Sequence, residues 1–353
     1  MGVPTIEPDT VETAKPALTK VAPAGKGRIG VLLTNLGTPD ATDYRSVRRY
    51  LAEFLSDARV IEIPKWKWYP ILYGIVLNTR PQKTGANYET IWNREKNESP
   101  LRTITRNQVE KLAAAFADEP NVVVDYAMRY GNPSLATGID RLIKQGCDRI
   151  LNVPLYPQYS ATTTGTANDQ FYRALMELRN MPSVRTLPPY YDEPDFIEAL
   201  AQSIESHLAT LDFEPEVVLA SYHGIPISYS EKGDPYYHHC VETTRLLNER
   251  LGWPEGRLRT TFQSLFGKEE WIKPYTDATV EGLAKEGVRS IAIANPGFSA
   301  DCIETLEEID GEVREIFMHA GGTNFAHIPC LNESDVGMAM IERLVRRELG
   351  GWL

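Results

Sequence analysis

The chain repeats itself. GRIGVLLTNLGTP (27–39) is a short apolar run that ends in a Gly-Pro turn, and EVVLASYHGIP (216–226) has the same form, with Gly37 aligned on Gly224 and Pro39 on Pro226. A second echo joins IDRLIKQGCDRILNVPLYPQYSATTTG (139–165) to VEGLAKEGVRSIAIANPGFSADCIETL (280–306) at a constant offset of 141 residues. In each copy an amphipathic stretch reaches a glycine, Gly146 or Gly287, where a helix needs a left-handed C-terminal residue. An apolar run follows, short enough to be a buried parallel strand.

Strands that alternate with amphipathic helices build βαβ units, and right-handed crossovers arrange them as open parallel sheets with helices on both faces. The expected fold is therefore α/β, with two similar Rossmann-like domains and a cleft between them. A length of 353 residues suits two such units. The first is expected over 27–165 together with a C-terminal helix at 333–349, and it holds an extra segment at roughly 50–100. The second is expected over 166–332. Residues 1–26 mix Pro, Thr, Ala, Glu and Lys without an apolar core, so they read as a disordered tail and not as a signal peptide.

Ligands of such sheets bind beyond the carboxyl ends of the strands. The loops after Leu36, Arg129, Pro154, His223, Gln263 and Asn295 therefore define where chemistry is expected. No G-x-G-x-x-G or G-x-x-x-x-G-K-[ST] follows any of these strands, so a nucleotide has no phosphate cradle. The formal charge of −11 argues against a phosphate-backbone partner and suits a cation. The four cysteines, Cys147, Cys240, Cys302 and Cys330, have no C-x-x-C spacing, which points to free thiols in a reducing compartment.

Two groups stand where chemistry is expected. His223 ends the strand of SYHGIP, at the position that Leu36 holds in the other half. In FSADCIETLEEID (298–310), Asp301, Glu304 and Glu308 fall at i, i+3 and i+7, which on a regular helix is one face. An imidazole facing carboxylates suits a divalent first-row ion, and sparse ligation lets the ion be passed on. Adjacent His238, His239 and Cys240 point in different directions on a helix and are read as structural, as are His207, His319 and His327.

The segment IEIPKWKWYPILYGIVLN (61–78) places Trp66, Trp68, Tyr69, Ile71 and Leu72 beside Lys65 and Lys67. Its apolar run is far below the ~20 residues of a spanning helix. Aromatic rings beside lysines suit a lip that rests on a membrane surface.

The motifs NLGTP (35–39), RYGNP (129–133), LYPQYSATTTG (155–165), SYHGIP (221–226), KGDPYY (232–237), FQSLFGKEEW (262–271) and FSADCIETLEE (298–308) resemble, in order, those of the ferrochelatase family over about 28–348. The resemblance implies chelatase-type domains and a lyase of haem biosynthesis that inserts Fe(II) into protoporphyrin IX. It makes His223 and Glu304 the catalytic pair, with Asp301 and Glu308 joining them at the metal. Arg129, Tyr88, Ser99, Tyr156, Trp271 and Phe298 match the lining of the family's porphyrin pocket, and Arg129 has the planar fork that suits a propionate. Some members hold a [2Fe-2S] cluster through a cysteine-bearing C-terminal extension. This sequence ends at GGWL, and the earlier cluster cysteine falls at Ala161, so no cluster and no resident cofactor are expected. The implied setting is the cytoplasm, peripheral to the inner membrane. The alternatives are a chelatase for coproporphyrin or for cobalt and a corrin precursor, or a non-catalytic haem or metal carrier.

Overall fold

The computed structural model describes residues 27–265, 267 and 269–353; the N-terminal tail lies outside them. Eight strands form two parallel sheets of four. The first is built from β1 (Arg28–Thr38), β2 (Val122–Gly131), β3 (Cys147–Pro154) and β4 (Ser183–Thr186), in the order β2-β1-β3-β4. The second repeats this order as β6-β5-β7-β8, from β5 (Val217–His223), β6 (Leu258–Gln263), β7 (Ser290–Ala294) and β8 (Asn324–Ile328). The repeat read in the sequence is thus a repeat of topology. One boundary differs: β4 pairs with β3, so the first sheet runs beyond residue 165, where the sequence placed the change of domain.

The echoed glycines stand at helix ends. The helix Leu135–Lys144 is capped by Gln145 and followed by Gly146 at φ 90°, and Thr276–Lys285 is followed in the same way by Gly287 at φ 104°. Gly37 answers a harder constraint, because a β-carbon there would lie 1.8 Å from the carbonyl oxygen of Tyr130. NLGTP therefore needs glycine to let β1 and β2 leave the sheet side by side.

The two sheets share a hydrophobic core. Val31, Leu33 and Val153 of the first cluster with Val218, Ala220 and Ala292 of the second, and Ile341 and Leu344 of the C-terminal helix Asp335–Glu348 join them. That helix packs on Pro194–Leu208 and on Pro100–Ala115.

The lip segment is helical from Lys65 onward: Lys65–Ile71, a wide π turn at Leu72–Val76, then Leu77–Ile91. Pro81 lies inside the last stretch and has no N–H for the carbonyl four residues back. The hydroxyl of Tyr44 donates to that carbonyl, Leu77 O, at 3.1 Å. Π turns recur at Ala161–Gly165 and Glu304–Val313.

Candidate active site

The carboxyl ends of both sheets open on one cleft of about 650 Å³, reached by Leu36 from the first sheet and His223 from the second. Phe54, Trp68, Tyr156, Tyr229, Trp271 and Phe298 supply its aromatic walls. This is the size of a small-molecule or cofactor site, with largely apolar walls and a few polar groups.

His223 is held by its own turn. Its Nδ1 lies 2.6 Å from the carbonyl oxygen of Gly224, which can only accept, so Nδ1 bears the proton and a neutral ring keeps the lone pair on Nε2. Trp271 packs near the imidazole, with ring centroids 6.2 Å apart. Gly224 makes room for it, since a β-carbon there would meet Trp271 Cε3 at 2.9 Å.

Glu304 and Glu308 also line the cleft. They are set by a buried amide network under the strand ends. The Gln263 Oε1 accepts from Ser221 Oγ at 2.8 Å and from Asn295 Nδ2 at 2.9 Å, which turns its Nε2 toward the carbonyl oxygen of Glu304 at 2.8 Å. Glu308 accepts from Ser264 Oγ at 2.5 Å. Burial pushes the Glu308 carboxyl up; the Ser264 bond and the His223 ring act against that, and the neighbouring Glu304 adds to it. The Gln263–Asn295–Ser221 support was not read in the sequence beyond its placement at strand ends, because isolated amides carry no spacing signal.

Four of the expected site residues lie outside the lining of this cleft. Asp301 does not line the cleft; it precedes the π-helical stretch and its buried carboxylate accepts from Asn332, Thr305 and Cys330. The i, i+3, i+7 ladder assumed a regular helix from residue 301, and the helix starts at Glu304 with wide turns. Arg129 does not reach the cleft either: its buried guanidinium pairs with Asp57 and donates to Thr166 Oγ1 at 2.7 Å. Tyr88 and Ser99 line a small neighbouring cavity of about 10 Å³, the volume of one water, with Tyr50, Cys302 and Glu304, the last two of which also border the cleft.

Tyr156, Trp271 and Phe298 stand in the cleft wall. In the lip, Trp68 faces the cleft and bonds Leu55 O at 2.6 Å, and Leu72 is wholly buried. Trp66 is 75% exposed and Ile71 45%, while Tyr69 is half-buried. The sequence reading missed Arg80, whose guanidinium lines the cleft and whose pKa burial pushes down. A single Arg in NTRP looks like surface charge, and only the fold of the lip turns it inward. Among the described residues Lys232 is the other cation that lines the cleft, and it pairs with Glu62.

The remaining histidines and thiols fit structural roles. His239 stacks on Tyr191 at 3.7 Å and accepts from Tyr159 N, while Cys240 is fully buried. Burial, with Glu304 nearby, pushes the Cys302 thiol far up. Among the described residues no three His, Cys, Asp or Glu side chains are grouped to hold an ion.

A ferrochelatase family model matches residues 28–349. The ferrochelatase of Mesorhizobium japonicum is 69% identical over 332 residues, 94% of either chain. That of Rhizobium meliloti is 64% identical over 337 residues, 96% of this chain and 99% of the relative. Among solved structures, SirB from Bacillus subtilis with Fe3+ superposes with a TM-score of 0.53 at 14% identity, covering 91% of this chain and 95% of that one. A cobalt complex of the sirohydrochlorin chelatase SirB from Bacillus subtilis subspecies spizizenii gives 0.52 at 11% identity, covering 91% and 94%. At that identity the two structures speak for the fold, a pair of chelatase-type sheets. Matched across nearly its full described length by the family model and by such close relatives, the chain belongs to the ferrochelatase family.

Proposed function

We propose that the cleft inserts Fe(II) into protoporphyrin IX to give protohaem, with His223 and Glu304 as the groups that take the two pyrrole protons. The balance is simple: the macrocycle loses two N–H protons and gains one dication, so the ring centre stays neutral. The single observation that carries the reading is that an imidazole whose Nδ1 is held by Gly224 O and two carboxylates, Glu304 and Glu308, line the same aromatic-walled cleft. A neutral imidazole serves as general base near neutral pH. The carboxylates draw the cation in as substrate, and their sparse ligation lets it leave again.

A flat ring does not present its lone pairs to a metal approaching from one face. Packing between Trp271, Phe298 and Tyr156 supports a bent ring, at a strain of roughly 1–5 kcal/mol drawn from remote binding. That Arg80 and Lys232 line the cleft and Arg129 does not supports the first two as partners of the propionates. Anaerobic incubation with protoporphyrin and Fe(II) or Zn(II), followed by the porphyrin absorbance, tests the activity; no spectral change would refute it.

The reading includes no resident cluster. Cys147 and Cys240 lie in different hydrophobic clusters and Cys302 in a third, whereas a cluster needs several thiolates together. Acid-labile sulfide in stoichiometric amount would overturn it. Exposed Trp66, Ile71, Ile75 and Ile63, beside Lys65 and Lys67, support a lip that rests on an anionic membrane from the cytoplasmic side. No helix among the described residues is long and apolar enough to cross one.

A further inference from the structure

Asp301 is a charge placed in a core, 6% exposed. Its Oδ2 accepts from Asn332 Nδ2 at 2.6 Å, and its Oδ1 accepts from Thr305 Oγ1 at 2.9 Å and from Cys330 N at 3.3 Å. Asn332 closes the ring of bonds, because its Oδ1 accepts from Asp301 N at 2.8 Å. The pair is therefore reciprocal, side chain to side chain and side chain to backbone.

Asn332 has a φ of 49°, the left-handed region, where a short polar side chain is tolerated better than most. Its backbone is tied on both sides. Its N–H donates to Ser299 O at 3.1 Å, and its carbonyl accepts from Gln108 Nε2 at 2.9 Å, which reaches across from the helix Pro100–Ala115. Thr305 passes the constraint on: its Oγ1 donates to Asp301 and accepts from Cys302 N at 3.1 Å. Glu304 lies between Cys302 and Thr305, and Gln263 grips its carbonyl from the opposite side.

We propose that Asn332 is a positioning residue for metal insertion: through its reciprocal pair with Asp301, relayed by Thr305, it fixes the first turn of Glu304–Val313 and so the placement of the Glu304 carboxylate. The alternative arrangement is already at hand. His327 Nε2 has no hydrogen-bond partner and lies 4.0 Å from Asp301 Oδ1, so in the tautomer that carries its proton on Nε2 it is a new donor for a carboxylate released by Asn332. A shift of about 1 Å at a reacting group can cost on the order of a hundredfold in rate.

The inference rests on Glu304 receiving a proton, as proposed above. Its test is steady-state insertion of Zn(II) into protoporphyrin by two variants, with porphyrin affinity read separately by fluorescence titration. Asn332→Gly keeps the left-handed backbone and removes both side-chain bonds. Thr305→Val keeps the volume and removes the relay. Each should lower kcat by about tenfold or more with porphyrin KM within about twofold, and the double variant should be no slower than the slower single one, because both cut one path. A lower melting midpoint with unchanged kcat at a temperature where the variant is folded would overturn the proposal. If Asn332→Gly does not fold, unchanged kcat in Thr305→Val overturns it alone. Glu304→Gln separates the two claims: its loss of turnover beside full turnover in the other variants sinks only the positioning role, whereas its retained turnover sinks the reading of Glu304 itself.

Discussion

His223 and Glu304 reach the same cleft by different means, the first as the last residue of a buried strand and the second on a wide helical turn gripped by Gln263. His223→Ala should lower insertion by about 10²–10⁴-fold, the usual share of a general base, while porphyrin titration and circular dichroism stay near wild type. Glu304→Gln should fall by a similar factor; a lower melting midpoint with unchanged turnover would leave it only a structural part. Cys302→Ala should keep most of its turnover in the same assay, because the side chain is buried among Leu101 and Ala300 and burial pushes its thiol pKa up. The two catalytic candidates were legible because a histidine at a strand end and acids after the next strand are unusual where a ligand binds. Asp301 and Arg129 were not, since the partners that engage them, Asn332 and Thr305 donating to one, Asp57 and Thr166 accepting from the other, are distant in sequence or unmarked by any motif.

At the scale of the element, the lip helix divides its residues cleanly. Replacing exposed Trp66 and Ile71 with Ser should reduce partition onto anionic liposomes and raise KM for protoporphyrin, with a smaller effect on a more water-soluble porphyrin. Equal effects on both porphyrins and unchanged partition would remove the membrane role. Leu72→Ala should act on stability instead, by roughly 2–5 kcal/mol in denaturant unfolding, because that side chain is fully buried against Val47, Leu51 and Tyr130. The apolar content of this segment was legible, and its helical form was not: Pro70 and Pro81 argue against a helix until Tyr44 is seen to satisfy the carbonyl that Pro81 leaves unpaired. The π turns were equally hidden, since a hydrophobic period of 3.6 residues says nothing about where a turn is widened.

Across the whole molecule, the repeated strand order was the most legible feature, because Gly37, Gly146 and Gly287 mark the same turns in each half and have physical reasons to be glycine. The shared core was not legible, since contact between Val31 of one sheet and the cluster around Val218 of the other has no local signature. It has a measurable consequence: calorimetry should give a single cooperative unfolding transition with no separable halves. Two resolved transitions would mean that the sheets are held by their own cores. The same duplication also bears on what a ligand meets. Leu36 and His223 occupy equivalent places in the two halves and both border the cleft, yet one is a hydrocarbon and the other a base. A planar ring seated between them would meet a hydrocarbon on one side and an imidazole on the other, so the duplicated fold offers a ligand two chemically unlike borders.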